Sequence, residues 1–284
     1  MADIQLPAPL DVHTLLNLPE DEYDWLIPGL IERGDRVILT GNEGKGKSTF
    51  LRQLAVQIAA GIHPFSLQSI QPRKVLVIDL ENSHNQIRRK LVETCDPSIV
   101  DSGFLSIASW PSGVDLMHAD YITAMTAVIA RFQPEVLIVG PMYKMGGHLE
   151  KEEDSNRLAM LLDLWRTAHG FALFMESHQP HQVVTQTTKF RPERPFGSSL
   201  WLRWPEFGIC LEDDGRLRHW RGARELDRAW PDKLRWGDTW PWVVDNRCCM
   251  VCGTPLNTRQ EKYCSEKCGT AGRVRNHRAA KRLL

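Results

Sequence analysis

Long apolar runs are missing from this 284-residue chain: none reaches the ~18 residues a membrane helix needs, so no membrane span is expected. The N-terminal MADIQLPAPLDVHTLL has no basic stretch leading into an apolar block, so no secretory leader and a cytoplasmic location are expected. Internal repeats and low-complexity blocks are also missing. Cysteine is scarce where a large fold would be: of seven, only Cys95 and Cys210 precede residue 247. A chain of this length buries about three quarters of its unfolded surface and needs no disulfides for its main core. What is present, 42% apolar residues and ten tryptophans, describes a globular protein: one large domain, residues 1–246, with an appendage, 247–284.

Net charge is zero, but it is unevenly placed. Nine Lys or Arg against Glu261 and Glu266 give residues 247–284 a charge of +7, which leaves −7 for the body. A basic tail on an acidic body points to a polyanionic partner. The same tail holds Cys248, Cys249, Cys252, Cys264 and Cys268, a clustering that suits a metal site in a reducing compartment.

The body alternates short apolar runs with helical patterns. Strands are expected at 36–40, 74–80, 104–108, 136–139 and 171–175, with helices at 47–60, 85–94, 120–132 and 154–168. Runs that are apolar on both faces argue for a mostly parallel sheet covered on both sides, an α/β fold. After Ser199 the pattern changes: 206–211 and 216–221 flank Asp214-Gly215, a hairpin signal that predicts an antiparallel edge. Segment 222–246, rich in Trp and Pro, reads as a wrapping arm.

Gly41-Asn42-Glu43-Gly44-Lys45-Gly46-Lys47-Ser48 satisfies G-x-x-x-x-G-K-S. Its glycines let successive N–H groups turn toward phosphate oxygens, Lys47 reaches the β- and γ-phosphates, and Ser48 ligates Mg²⁺. An apolar strand leads in, and Ser48-Thr49 opens a helix whose positive end faces the anion. ATP with Mg²⁺ is therefore the expected ligand. Strand 74–80 ends in Asp79-Leu80-Glu81, which places a carboxylate where ligands sit in such sheets; Glu81 is the candidate base for water.

With these motifs the chain resembles the RecA/DnaB-type ATPases, most closely the RepA-like hexameric helicase subgroup of phages and plasmids, AAA_25. The resemblance covers about residues 22–225 through Trp25–Ile31, the Walker A loop, Asp79–Ser83, Pro141–Met145, Glu176–Gln179 and Phe196–Ser199. It implies a RecA-like phosphate-loop NTPase, assembly as a ring, and a cytoplasmic location (that of the host, for a phage protein). One departure stands out. Gly140 occupies the place of the Walker B aspartate, so either Asp79 or Glu81 supplies the charge that holds Mg²⁺ through water, or hydrolysis is slow. His178 and Gln179 take the family's γ-phosphate-sensing place; a hydrogen-bonded loop histidine is the alternative. Lys189 and Arg191 fall where the family lines a central pore, against a merely mobile loop. Arg221 and Arg224 are candidates for arginines inserted into a neighbour's ATP site, against ordinary surface arginines.

In the tail, Cys249-x2-Cys252 and Cys264-x3-Cys268 match a tetrahedral Zn²⁺ site, with Cys248 an alternative to Cys249. The sequence around Cys264 resembles small treble-clef zinc modules. Arg273, Arg275, Arg278, Lys281 and Arg282 follow without an acid among them and suit phosphate contacts; a solubilising tail is the bland alternative. The implied function is a DNA-stimulated ATPase, helicase- or translocase-like, acting on nucleic acid (single-stranded DNA first) in phage or plasmid replication, recombination or repair. Two alternatives stay open: an ATP-switched DNA-binding mediator or loader with weak turnover, and an exonuclease built on such a ring.

Overall fold

The computed structural model describes residues 9–17, 23–94, 97–180, 183–184, 189–190, 192, 194–222, 228–246, 263 and 265–270. In chain order, α1 (Val12–Leu16) is followed by β1 (Trp25–Ile27) and β2 (Ile31–Glu32), which form a small hairpin. Then come β3 (Arg36–Gly41), α2 (Lys47–Ala59), β4 (Val75–Asp79), α3 (His84–Thr94), β5 (Leu105–Ser109), α4 (Ala119–Phe132), β6 (Val136–Gly140), α5 (Glu152–His169) and β7 (Ala172–Glu176). A two-stranded ribbon, β8 (Val183–Val184) and β9 (Lys189–Phe190), precedes α6 (Leu200–Arg203), β10 (Phe207–Leu211) and β11 (Leu217–Arg221). A last hairpin pairs β12 (Leu234–Trp236) with β13 (Trp242–Val244).

The main sheet has seven strands in the order β11-β10-β3-β7-β6-β4-β5. Every neighbouring pair is parallel except β10–β11. The expected α/β class, parallel core and antiparallel edge are thus what the chain adopts. Apolar runs such as Val75–Ile78 are buried on both faces, and side chains alternate between two cores with the strand's period of two. Val37, Leu39, Val77 and Phe174 meet Phe50, Leu54 and Ile58 of α2 on one face. Ile38, Leu76, Leu137 and Met175 meet α4 and α5 on the other. Three tryptophan N–H groups of that second core find oxygens: Trp165 donates to Thr126 Oγ1 (2.8 Å), Trp201 to Ser155 Oγ (3.1 Å) and Trp204 to Asp163 Oδ2 (2.8 Å).

Segment 222–246, read above as a wrapping arm, contains the β12–β13 hairpin. Leu234 and Trp242 are buried in the α2-side core. Arg228 anchors its start, with the guanidinium 4.6 Å over the Trp25 ring and 3.7 Å from Asp35. Sequence boundaries hold within two residues, and one difference matters: β7 runs to Glu176 rather than Met175.

Asp35 lies between β2 and β3, where its Oδ2 accepts the Glu32 N–H at 2.7 Å. Burial pushes its carboxyl up from 3.8 to about 6, against the opposing pull of that N–H and of Arg228. A carboxyl whose pKa is raised by folding makes the native state hold the extra proton, so this group's contribution falls as pH rises through that window. Thermal unfolding of wild type and Asp35→Asn from about pH 4 to about pH 6 should show wild type losing up to about 3 kcal/mol relative to the variant. Parallel pH profiles would refute this.

Candidate nucleotide site

The loop between β3 and α2 is built from glycines for steric reasons. Gly46, the N-cap of α2, sits at φ 89°, and a Cβ there would lie 3.0 Å from the Trp242 ring. Lys47 is 3% exposed, and its ammonium donates to the carbonyls of Gly41 (3.0 Å) and Asn42 (2.9 Å). The loop is braced from the β10–β11 turn: Asn42 Nδ2 donates to Asp213 Oδ1 at 3.0 Å, and Lys45 lies 3.3 Å from Asp213 Oδ2. From the arm, Trp242 Nε1–H donates to Gly46 O at 3.3 Å. Gln53 of α2 exchanges hydrogen bonds with the Trp242 backbone, donating to its carbonyl at 2.6 Å and accepting its N–H at 2.7 Å. Glu43, Gly44 and Lys45 stand exposed at the tip, while Ser48 and Thr49 begin the helix.

Gly140 leaves the Walker B place without a side chain, and the carboxylate comes from the neighbouring strand instead. Glu176 ends β7, next to β6, and its Oε1 accepts the Ser48 hydroxyl at 3.1 Å and lies 3.9 Å from the Lys47 ammonium. A Cβ at residue 140 would come within 2.8 Å of Glu176 Cβ, so glycine at 140 is what leaves room for Glu176. Desolvation raises the Glu176 pKa above its ordinary 4.5, while Lys47 and the Ser48 hydroxyl pull it down. A buried carboxylate beside a hydroxyl at the head of the phosphate loop fits a divalent cation.

Asp79 lines the same cleft as Ser48, Glu81 and Glu176. Its Oδ1 accepts the N–H groups of Glu81 (3.0 Å) and Asn82 (2.8 Å), and its Oδ2 lies 3.4 Å from Arg52, so it turns the chain at the end of β4. Glu81 does face the cleft: it lines it with Ser48, Arg52, Gly140 and Glu176, and accepts the Tyr143 hydroxyl at 3.1 Å. His178 lies beside the loop, Nδ1 3.7 Å from the Glu43 carboxylate and its ring 5.2 Å from that of Tyr143. Gln179 donates from Nε2 to Cys210 Sγ at 3.2 Å and lines a cleft with Asn42 of the phosphate loop and Asp213.

Arg221 stands away from this chain's own phosphate loop. It sits at the end of β11 that pairs with Gly208, opposite the Leu217–Leu211 end beside the phosphate loop. Its guanidinium is engaged within its own chain, by Pro205 O (2.5 Å) and Leu202 O (3.5 Å). Arg224, Arg191, Arg273, Arg275, Arg278, Lys281 and Arg282 lie outside the described residues, as does the side chain of Lys189. So do Cys249, Cys252 and Cys264; of the four expected zinc ligands only Cys268 is described, its N–H donating to Ser265 Oγ at 3.2 Å. Among the described residues no group of three or more His, Cys, Asp or Glu is placed to hold a metal.

Sequence reasoning missed Glu176 and Trp242. The signal for the first was an acid at the C-terminal end of the strand beside the one that lacks it. Restoring the aspartate should therefore harm the protein. Gly140→Asp should lower unfolding free energy by about 1–3 kcal/mol through overpacking, whereas Gly140→Asp/Glu176→Ala should recover much of that loss. Chemical denaturation of the four proteins of this cycle measures the coupling; additive losses would remove the steric account.

A family model for an AAA domain, AAA_25, matches residues 3–183, more than half of the chain and all strands of the main sheet except β10 and β11. No curated protein matches. Among solved structures the chain is similar to a KaiC-like protein from the hyperthermophilic archaeon Pyrococcus horikoshii, with 16% identity, a TM-score of 0.49, and coverage of 77% of this chain and 93% of that one. Given its phosphate loop and the span of the family match, the chain belongs to the AAA_25 family and is a P-loop ATPase.

Proposed function

We propose that this ATPase works on nucleic acid, single-stranded DNA foremost, as a helicase- or translocase-like motor assembled from several copies of the chain, a hexameric ring being the arrangement its sequence resemblance favours. In the hydrolytic step Lys47 leaves the Gly41 and Asn42 carbonyls and takes the β- and γ-phosphate oxygens. Ser48 and Glu176 would hold Mg²⁺, which when bound neutralises charge developing on the phosphates. Glu81, exposed and oriented by the Tyr143 hydroxyl, accepts the proton of the attacking water.

The observation that carries the reading is the Ser48–Glu176 hydrogen bond. It brings the Glu176 carboxylate to the Ser48 hydroxyl where Gly140 has none, which supports turnover over a weakly hydrolysing switch. Support for nucleic acid is of a different kind. The chain leaves the site through His178 into the segment carrying Lys189 and Arg191, and residues 247–284 carry +7. That tail, which we read as a Zn²⁺-binding four-cysteine module with Arg273, Arg275, Arg278, Lys281 and Arg282 contacting phosphates, would tether the motor to its track. Work in phage or plasmid replication, recombination or repair is the setting this reading implies. Among the described residues no helix is long and apolar enough to cross a membrane.

ATP turnover with and without single-stranded DNA, run beside strand displacement, tests the proposal. Lys47→Ala should lose nucleotide binding, and Glu81→Gln should keep it while turnover falls by about 10²–10⁴-fold. Turnover indifferent to DNA, with no strand displaced, would sink the motor reading while leaving the ATPase intact.

A further inference from the structure

Two indoles are stacked on the phosphate loop, on the flank away from Glu176. Sheet order puts β7 and β6 on one side of β3 and β10 and β11 on the other, where the β12–β13 hairpin joins the edge through the Arg216–Lys233 bridge. Glu176 and Glu81 mark the first side as the γ-phosphate end. Phosphate loops hold the α- and β-phosphates in their amides, with the lysine toward β and γ, so the nucleoside leaves toward the second side. There Trp242 is buried against Gly46, held by its bond to the Gly46 carbonyl and by Gln53. Trp236 stacks on Trp242 with ring centroids 4.4 Å apart and planes 24° apart. It is 60% exposed, and it alone of the chain's ten tryptophans is exposed.

We propose that Trp236 is the platform on which the base of a bound nucleoside triphosphate stacks. The inference rests on the triphosphate reading of residues 41–48 and adds the place of the base. A planar ring needs a rigid backing to serve as a stacking surface, and Trp242, fixed by three hydrogen bonds to α2 and its cap, provides one. Stacking uses a π-face that every base has, so the platform grips the base without choosing it. ATP and GTP should accordingly bind with similar strength.

The test separates the base from the phosphates by titrating the full-length protein with Mg-ATP and with Mg-tripolyphosphate. Trp236→Ala should weaken ATP by about tenfold or more, at 1.4 kcal/mol per tenfold, and leave tripolyphosphate within about twofold of wild type. Trp236→Phe, which keeps a π-face, should retain ATP affinity within about threefold. Unchanged ATP affinity in Trp236→Ala would overturn the platform. Equal weakening of both ligands would overturn it too, because the residue would then act through the loop's shape. Wild type that binds neither ligand would instead overturn the triphosphate reading, and the platform with it.

Discussion

A buried ammonium and a buried carboxylate, Lys47 and Glu176, stand 3.9 Å apart, and the organisation of the site follows from that pair. Taking either charge out of water is costly, and their attraction offsets the cost only where further hydrogen bonds help. Here they do: Lys47 is received by two main-chain carbonyls and Glu176 by the Ser48 hydroxyl. Neither charge is fully answered by the other at this distance. A triphosphate and a cation would add further partners to both groups.

The fold was largely legible because its signals are local. Continuous apolar runs such as Val75–Ile78 announce strands covered on both faces, and the glycines, lysine and serine of residues 41–48 announce a phosphate site by spacing alone. The position of Glu81 at the cleft was legible for the same reason, since it is a carboxylate just past a strand end. Glu176 was not. Its meaning depends on Gly140, far away in sequence and beside it only because β6 pairs with β7. Stopping β7 one residue early, at Met175, hid the strand-end position of its acid. The sequence shows Arg221 to be basic and near a strand end; only the fold shows its guanidinium engaged by Pro205 and Leu202 carbonyls.

The β12–β13 hairpin shows a third kind of illegibility. Its residues alternate too briefly for periodicity to be read, and its contacts with α2 span 189 residues of sequence. Those contacts nonetheless set the shape of the phosphate loop, since Gly46 is confined by the Trp242 ring and braced by its N–H. The ATPase core therefore extends past residue 183, where the family match stops. Asp213 makes the same point from the β10–β11 turn, holding Asn42 and Lys45.

Because β13 ends at Val244, the segment beginning at residue 247 is joined to the molecule only a few residues from the indole that rests on Gly46. Tension applied to that segment would travel along β13 to Trp242 and so to the head of α2. The path from the end of β13 to the head of α2 is therefore short, since Trp242 lies two residues before Val244 and its indole donates to the Gly46 carbonyl, next to Lys47.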